Sequence, residues 1–491
     1  MSGRPRLNSG SMKSVVMIAY FFPPEGSAGT YRSLRFMRQL VKVGWSPAIV
    51  SADPYHYERY DPELLALIPE GVEIVRVRGR DLWQAIQGWR GKKFQATIAK
   101  ASGDVAQQMI AAQHVPLRSL IRKAVRVAET YFYQPDLAKT WVRPAVSAAV
   151  ELCQRQQPSV IWASAGPVSA WIVARKVSQI TGVPYVLDLR DPHGLSYYDP
   201  EISQPDSVMR RMRRIMHRVF KDAQAVVFLF DSVAECYSRA FPDALDPAKI
   251  HIIPNGYEGR IDTSVPSSGD RLNVLYTGTV VSYRYDTLLH ALAELNSKAP
   301  VTAQKLRLRF IGEGMEDVAK LAARLGLSNI VETAGPTSHA EITRLEREAH
   351  ALLVLGRLST ITGHELFAGA KVFNYLKTNR PILAVVPRDE TRKVLERVGV
   401  STIADADSPA EIANQLERLI KMWSSGTLPS LLPHRDQCEH YSAERQTEAL
   451  VQALTGGRPA HRFVHGRVEV PPSLRAQVAE DAAHSRNYGW I

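Results

Sequence analysis

Short apolar runs alternating with amphipathic helical stretches constrain this chain most, because the whole alternation occurs twice. Runs at 15–22, 47–52, 72–77, 159–164, 184–189 and 225–230 read as buried strands, with helices at 31–43, 168–181 and 210–222. A strand and turn at 249–256 close this half. After a linker at 262–270, rich in Ser, Pro and Asp, the pattern restarts, with strands at 273–277, 306–311, 330–333, 351–355 and 382–386 and a helix at 286–295. Strands that are apolar on both faces and separated by helices belong to parallel sheets covered on both sides. The expected fold class is therefore α/β, with two Rossmann-like domains facing each other across a cleft. The expected boundaries are a basic tail at 1–14, domains at 15–258 and 271–436, a helix at 437–454, and a partly disordered tail at 455–491.

Composition narrows the partners. A chain of 491 residues with 45% hydrophobic and 22% charged content is long enough for two cores. Its net charge of +12 suits an anionic partner, whether nucleotide phosphates, a lipid phosphate or an acidic membrane face; a solvated basic surface explains it equally well. The helix at 210–222 carries Arg210, Arg211, Arg213, Arg214, Arg218 and Lys221 with Phe220 the only Phe, Tyr or Trp among them, which disfavours nucleic acid. A basic amphipathic stretch at 117–126 reads as packed on its own domain, with an anionic membrane as the minority alternative. Cys153, Cys236 and Cys438 lie far apart, which argues against a disulfide framework or zinc ribbon and fits a reducing compartment. No apolar run is long enough to span a bilayer.

The stretch 363–385 reads as a Gly/Ala loop, a short helix from about Lys371, a turn and a buried strand. Free amides at that helix start, around Gly369 and Ala370, together with the Lys371 ammonium, form a candidate site for a diphosphate. In the first half, the loop after the opening strand carries Gly26, Gly29 and Thr30, where the backbone can approach a ligand closely. Its spacing is not a dinucleotide fingerprint, and no Gly-Lys-Ser/Thr loop is present, so a dehydrogenase or P-loop ATPase is disfavoured. At the end of the strand 184–189, Asp191 and His193 read either as a base with its orienting acid, or as a turn beside an Arg190 ion pair. Asp405 and Asp407 read as a helix cap rather than a metal site, and no metal ligands are expected.

Several of these stretches, in order from about 15 to 454, resemble the GT-B glycosyltransferases, specifically the retaining, nucleotide-sugar-dependent family four. Tyr20-Phe21-Phe22-Pro23-Pro24 with Gly26 and Gly29 resembles the family's opening loop, and Asp188-Leu189-Arg190-Asp191-Pro192 resembles its D-x-R-D-P segment. Ile253-Pro254-Asn255-Gly256 resembles its I-P-N-G junction. Gly278 and the set Gly312-Glu313-Gly314 resemble its glycines after the second-domain strands. Ala370-Lys371-Val372-Phe373-Asn374-Tyr375-Leu376 followed by Arg380-Pro381 resembles K-x-x-E-Y-L and its proline. The family has glutamates where Asn374 and Leu366 stand, with Glu365 adjacent here.

The resemblance implies transfer of a sugar from a nucleotide-diphosphate sugar to a glycan or lipid-linked acceptor, with retention, in surface polysaccharide or glycoconjugate synthesis. It implies an acceptor-side first domain and a donor-binding second domain. Lys371, Gly29 and the amides at Gly369-Ala370 would stabilise the leaving phosphate. Arg284 stands near the family's phosphate-binding basic residue. Asp191 and His193 would serve the acceptor. Gly26, Thr30, Gly278, Gly312, Glu313, Gly314, Glu365 and Asn374 would line the donor. No metal or cofactor is expected, nor nucleic acid; the expected location is the cytoplasm, with peripheral membrane contact. A nucleotide-sugar 2-epimerase and a non-catalytic scaffold homologue are the alternatives.

Overall fold

The described residues of the computed structural model are 13–57, 59–79, 135–136, 138–164, 166–190, 206–266, 268–357, 364–459, 463–464, 466 and 470. They divide into two compact units. One contains Met1–Ile252 and Ala449–Val468, and the other contains Ile253–Glu448.

In the first unit, β1 (Ser14–Ile18), β2 (Ser46–Ala52), β3 (Ile74–Val77), β4 (Val160–Ser164), β5 (Tyr185–Leu189), β6 (Ala225–Phe228) and β7 (Ile250–Ile252) form one sheet in the order β3-β2-β1-β4-β5-β6-β7. Every pairing is parallel. The second unit contains β8 (Leu272–Thr277), β9 (Leu306–Ile311), β10 (Val331–Ala334), β11 (Ala351–Leu355), β12 (Ile382–Val385) and β13 (Ile403–Ala404), ordered β10-β9-β8-β11-β12-β13. These pairings are parallel too. Each sheet is a doubly wound Rossmann-like sheet, so chain order reverses between β1 and β4 and again between β8 and β11. Loops leaving the carboxyl ends of those strand pairs diverge and open a crevice, where such sheets bind ligands.

Burial explains why the strands were legible. All five residues of β4 and of β11 are buried, so neither shows polar alternation. In the second unit Val274, Leu308, Leu353 and Leu383 pack with Leu288 and Leu292 of the helix Tyr285–Lys298 and with Ile412 and Leu416 of the helix Pro409–Ser424.

Boundaries shift where side chains or prolines decide them. The first strand ends at Ile18 rather than 22; beyond it, Pro23 and Pro24 have no N–H to offer a ladder. The following helix, Ala28–Lys42, starts before 31 because Ser27 caps it, accepting from the Gly29 amide. The stretch 437–454 splits into Arg435–Glu439 and Ala443–Leu454. The linker packs on the second unit: Asp262 pairs with Arg347 at 2.9 Å, and Arg380 donates to the Ser264 hydroxyl at 2.9 Å. In the tail, Phe463 and Val470 are buried, and the Gly466 amide donates to buried Glu235 at 2.9 Å. The basic stretch 117–126 lies outside the described residues. Among the described residues, no helix is long and apolar enough to cross a membrane.

Candidate active site

In the second unit the candidate site gathers at the carboxyl ends of β8, β9, β11 and β12. Gly278, directly after β8, has φ +116°, and a Cβ built there would fall 1.3 Å from Lys371 Nζ. The lysine ammonium thus occupies the space that any other residue's side chain would fill, and only glycine adopts this backbone without strain. Gly312, directly after β9, packs its backbone on Gly278; a Cβ there would lie 2.2 Å from the Gly278 carbonyl oxygen. The Gly278 amide donates to the Ile311 carbonyl at 2.7 Å.

Lys371 is the second residue of the helix Ala370–Thr378, which begins at Gly369 with no side-chain cap. Its first-turn amides therefore have no competing side-chain acceptor at the cap. Lys371 Nζ also stands 5.1 Å from the centre of the Tyr276 ring. Burial pulls its pKa down to about 8, opposed by the charge of Glu346. Glu346 is itself buried, and burial raises its pKa against the Thr277 hydrogen bond and the nearby lysines. Thr277 Oγ1 donates to Glu346 at 2.8 Å and lies 3.0 Å from the Tyr375 hydroxyl, which also accepts from the Thr277 amide at 3.1 Å. With the threonine proton on Glu346, Tyr375 is the donor to Thr277 Oγ1. This network fixes the end of β8 against the helix that carries Lys371.

The other expected donor-side residues are placed as follows. Gly314 precedes the helix Met315–Arg324, and the Glu313 carbonyl accepts from the Val280 amide at 3.1 Å while its side chain is exposed. Gly369 has open space where a Cβ would stand, and Ala370 and Asn374 are exposed. Asn374 is three residues beyond Lys371, one helical turn along the same face. Glu365 lies in a short 3-10 helix, His364–Leu366, rather than on a regular α-helix, and Leu366 is buried. Arg284 is engaged elsewhere: it pairs with Asp407 at 2.6 Å and donates to the Thr287 hydroxyl at 2.8 Å. Asp405 and Asp407 precede a helix capped by Ser408, which accepts from the Glu411 amide at 3.3 Å. Among the described residues, no group of three or more His, Cys, Asp or Glu could hold a metal ion.

In the first unit, the loop after β1 is tied by Glu25, whose buried carboxylate accepts from the Ser27 amide at 3.0 Å, the Ser27 hydroxyl at 2.8 Å and the Thr30 hydroxyl at 2.5 Å. Thr30 is fully buried, so its hydroxyl serves the loop itself. The Gly26 amide donates to the Arg59 carbonyl at 3.1 Å. At Gly29 a Cβ would come within 2.9 Å of an Arg190 guanidinium nitrogen, which places that cation against the glycine. Asp191 and His193 lie outside the described residues. Asp188 pairs with Arg32 at 2.8 Å, both fully buried, and accepts from Ser164 at 3.0 Å.

Two Rossmann-like sheets, one in each unit, match the architecture of the GT-B class, and solved structures carry the same architecture. Anabaena HepE in complex with UDP-glucose aligns over 90% of this chain and 99% of its own, with a TM-score of 0.53 and 13% identity. Sucrose-phosphate synthase from Thermosynechococcus elongatus aligns over 90% and 98%, with a TM-score of 0.55 and 11% identity. At such identities the likeness concerns the fold. Within it, residues 79–256 match the family described as the Glycosyl transferase 4-like domain. The D-inositol 3-phosphate glycosyltransferase of Frankia alni is 26% identical over 201 residues, covering 37% of this chain and 47% of its own. That alignment spans less than half of the relative's length.

The residue missed from the sequence on the donor side is Glu346, on the helix His339–Glu348. No local motif marks it; only the packing of that helix brings it to Thr277.

Proposed function

We propose that this protein is a glycosyltransferase that takes a sugar from a nucleotide-diphosphate sugar and delivers it to a glycan or lipid-linked acceptor with retention. One observation carries the reading: Lys371 holds its ammonium against Gly278, at the start of a helix with free amides and at the chain-order reversal of a doubly wound sheet. Cleavage of the donor leaves negative charge on a departing diphosphate while positive charge builds on the sugar ring. A fixed ammonium and helix-start amides aimed at that phosphate stabilise the transition state more than the ground state. Partial burial of Lys371 lowers the local dielectric and strengthens its field on a bound anion.

In this reading Lys371 and the amides at Gly369 and Ala370 supply the charge compensation, and no metal ion is required. Asn374, exposed one turn along from Lys371, hydrogen-bonds donor hydroxyls without charge assistance. Asp191 and His193 would serve the acceptor. The setting is surface polysaccharide or glycoconjugate synthesis on the cytoplasmic side, with the exposed Arg211, Arg214, Arg218 and Lys221 available to an anionic membrane face. The Anabaena relative's UDP-glucose complex supports the donor class, and the glycosyltransferase name of the Frankia relative supports the reaction class.

The test is a thermal-shift panel of nucleotide sugars, since a ligand that binds only the native state raises its melting temperature. At least one donor stabilises the wild-type protein, and Lys371→Ala loses that shift together with about 10²- to 10³-fold in turnover, the usual scale for one oxyanion-stabilising donor. Unchanged turnover in Lys371→Ala would put the chemistry elsewhere.

A further inference from the structure

The geometry points to Arg357 as a second cation of the donor site, one that contacts the nucleotide's diphosphate; this rests on the glycosyltransferase reading above. Arg357 stands two residues beyond β11, and Gly278 stands one residue beyond β8. β8 and β11 are the two strands between which chain order reverses, so Lys371 (through Gly278) and Arg357 mark the two sides of that crevice.

Three loops hold Arg357 there. Gly356 donates its amide to Val385 at 2.8 Å and accepts from the Arg284 amide at 3.0 Å. A Cβ on Gly356 would lie 2.2 Å from Pro387 Cδ, so the loop after β12 closes on this backbone only because the residue is glycine. Arg357 itself forms an antiparallel bridge with Tyr283, in the loop after β8. Its guanidinium carbon lies 4.2 Å from the centre of the Phe367 ring, and Phe367 stands four residues before Lys371. The Phe367 carbonyl in turn accepts from the Thr391 hydroxyl at 3.3 Å.

The side chain is positioned but not neutralised. Arg357 Nε is buried, and among the described residues no acceptor takes its hydrogen bond and no carboxylate pairs with it. A buried N–H of a charged group without an acceptor is costly. Arg284 has Asp407 and Thr287, and so does not compete for a phosphate. A flat guanidinium stacked on an aromatic face presents its remaining N–H groups in a fork that matches two phosphate oxygens. An incoming diphosphate satisfies this arginine, and Lys371 supplies the complementary point charge.

Titration calorimetry with UDP and GDP, and with the corresponding nucleosides, on the full-length chain tests the assignment. The wild-type protein binds one of the diphosphates, and Arg357→Gln weakens that binding about ten- to hundredfold, the value of a charge-assisted hydrogen bond. Arg357→Lys keeps the charge without the fork and falls between the two. The unliganded melting temperatures of both variants do not fall below the wild-type value, because the substitutions remove a buried N–H without an acceptor. Diphosphate affinity unchanged in both variants overturns the assignment and leaves the glycosyltransferase reading intact. That result is also what an arginine reading the sugar alone would give, because UDP and GDP carry no sugar beyond the ribose. A lowered melting temperature in both variants with no loss of diphosphate affinity would make Arg357 structural. A wild-type protein that binds neither diphosphate overturns both proposals.

Discussion

Lys371 Nζ lies where the Cβ of any other residue at position 278 would be, 1.3 Å from the position built for it. The lysine and the glycine, 93 residues apart (371 − 278), therefore form one feature, because the cation reaches the end of β8 only while position 278 lacks a side chain.

Gly278→Ala tests that dependence. Alanine at φ +116° costs about 1–3 kcal/mol in backbone strain, and its methyl group displaces the ammonium. The expected result is a lowered melting temperature together with donor affinity and turnover falling towards those of Lys371→Ala. Wild-type turnover in this variant would disconnect the two residues.

The depressed pKa of Lys371 sets a pH window. The ammonium is charged below about 8, so donor binding weakens as pH rises through that value. Stability without ligand moves the other way. The unfolded chain holds this proton up to the ordinary lysine range, and the folded chain releases it near 8. Between those limits the unfolded state binds more protons, and the native state gains stability as pH rises. Glu346→Gln removes the charge that opposes the burial effect, so the alkaline limb of donor binding shifts to lower pH. Binding measured from pH 6 to 10 on both proteins checks the direction.

Asn374→Glu adds a charge-assisted acceptor at an exposed position on the face that carries Lys371. Charge-assisted hydrogen bonds are roughly twice as strong as neutral ones, so the donor's dissociation constant falls several-fold and that of the free nucleobase does not. Equal donor affinity in the two proteins would mean that this side chain does not meet the ribose.

Asp188→Ala leaves Arg32 buried without its carboxylate and removes the acceptor of the Ser164 hydroxyl. Breaking a buried pair from one side costs about 3–5 kcal/mol, so unfolding moves to markedly lower denaturant concentration. A double variant replacing Arg32 and Asp188 with apolar residues of similar volume recovers most of the loss.

Arg284 shows how far a motif reaches. Its position after β8 matched the place of a phosphate-binding basic residue, yet its guanidinium is held by Asp407, at 2.6 Å and 123 positions away (407 − 284). Arg190 shows the converse: of the two aspartates beside it, Asp188 belongs to Arg32 and Asp191 lies outside the described residues, while Arg190 stands against Gly29.

The strands other than β13, the doubling of the α/β unit and a helix start within one residue of Lys371 were legible in the chain, because burial on both faces, helical periodicity and glycine punctuation act within a few residues. Which charges remain available to a ligand was settled by packing between elements distant in the chain. Glu346 reaches Thr277 from a separate helix, Asp407 occupies Arg284, and Phe367 holds Arg357 while leaving its Nε without an acceptor. An ion pair forms between whatever groups the packed elements bring within a few ångströms, and spacing along the chain carries no record of that.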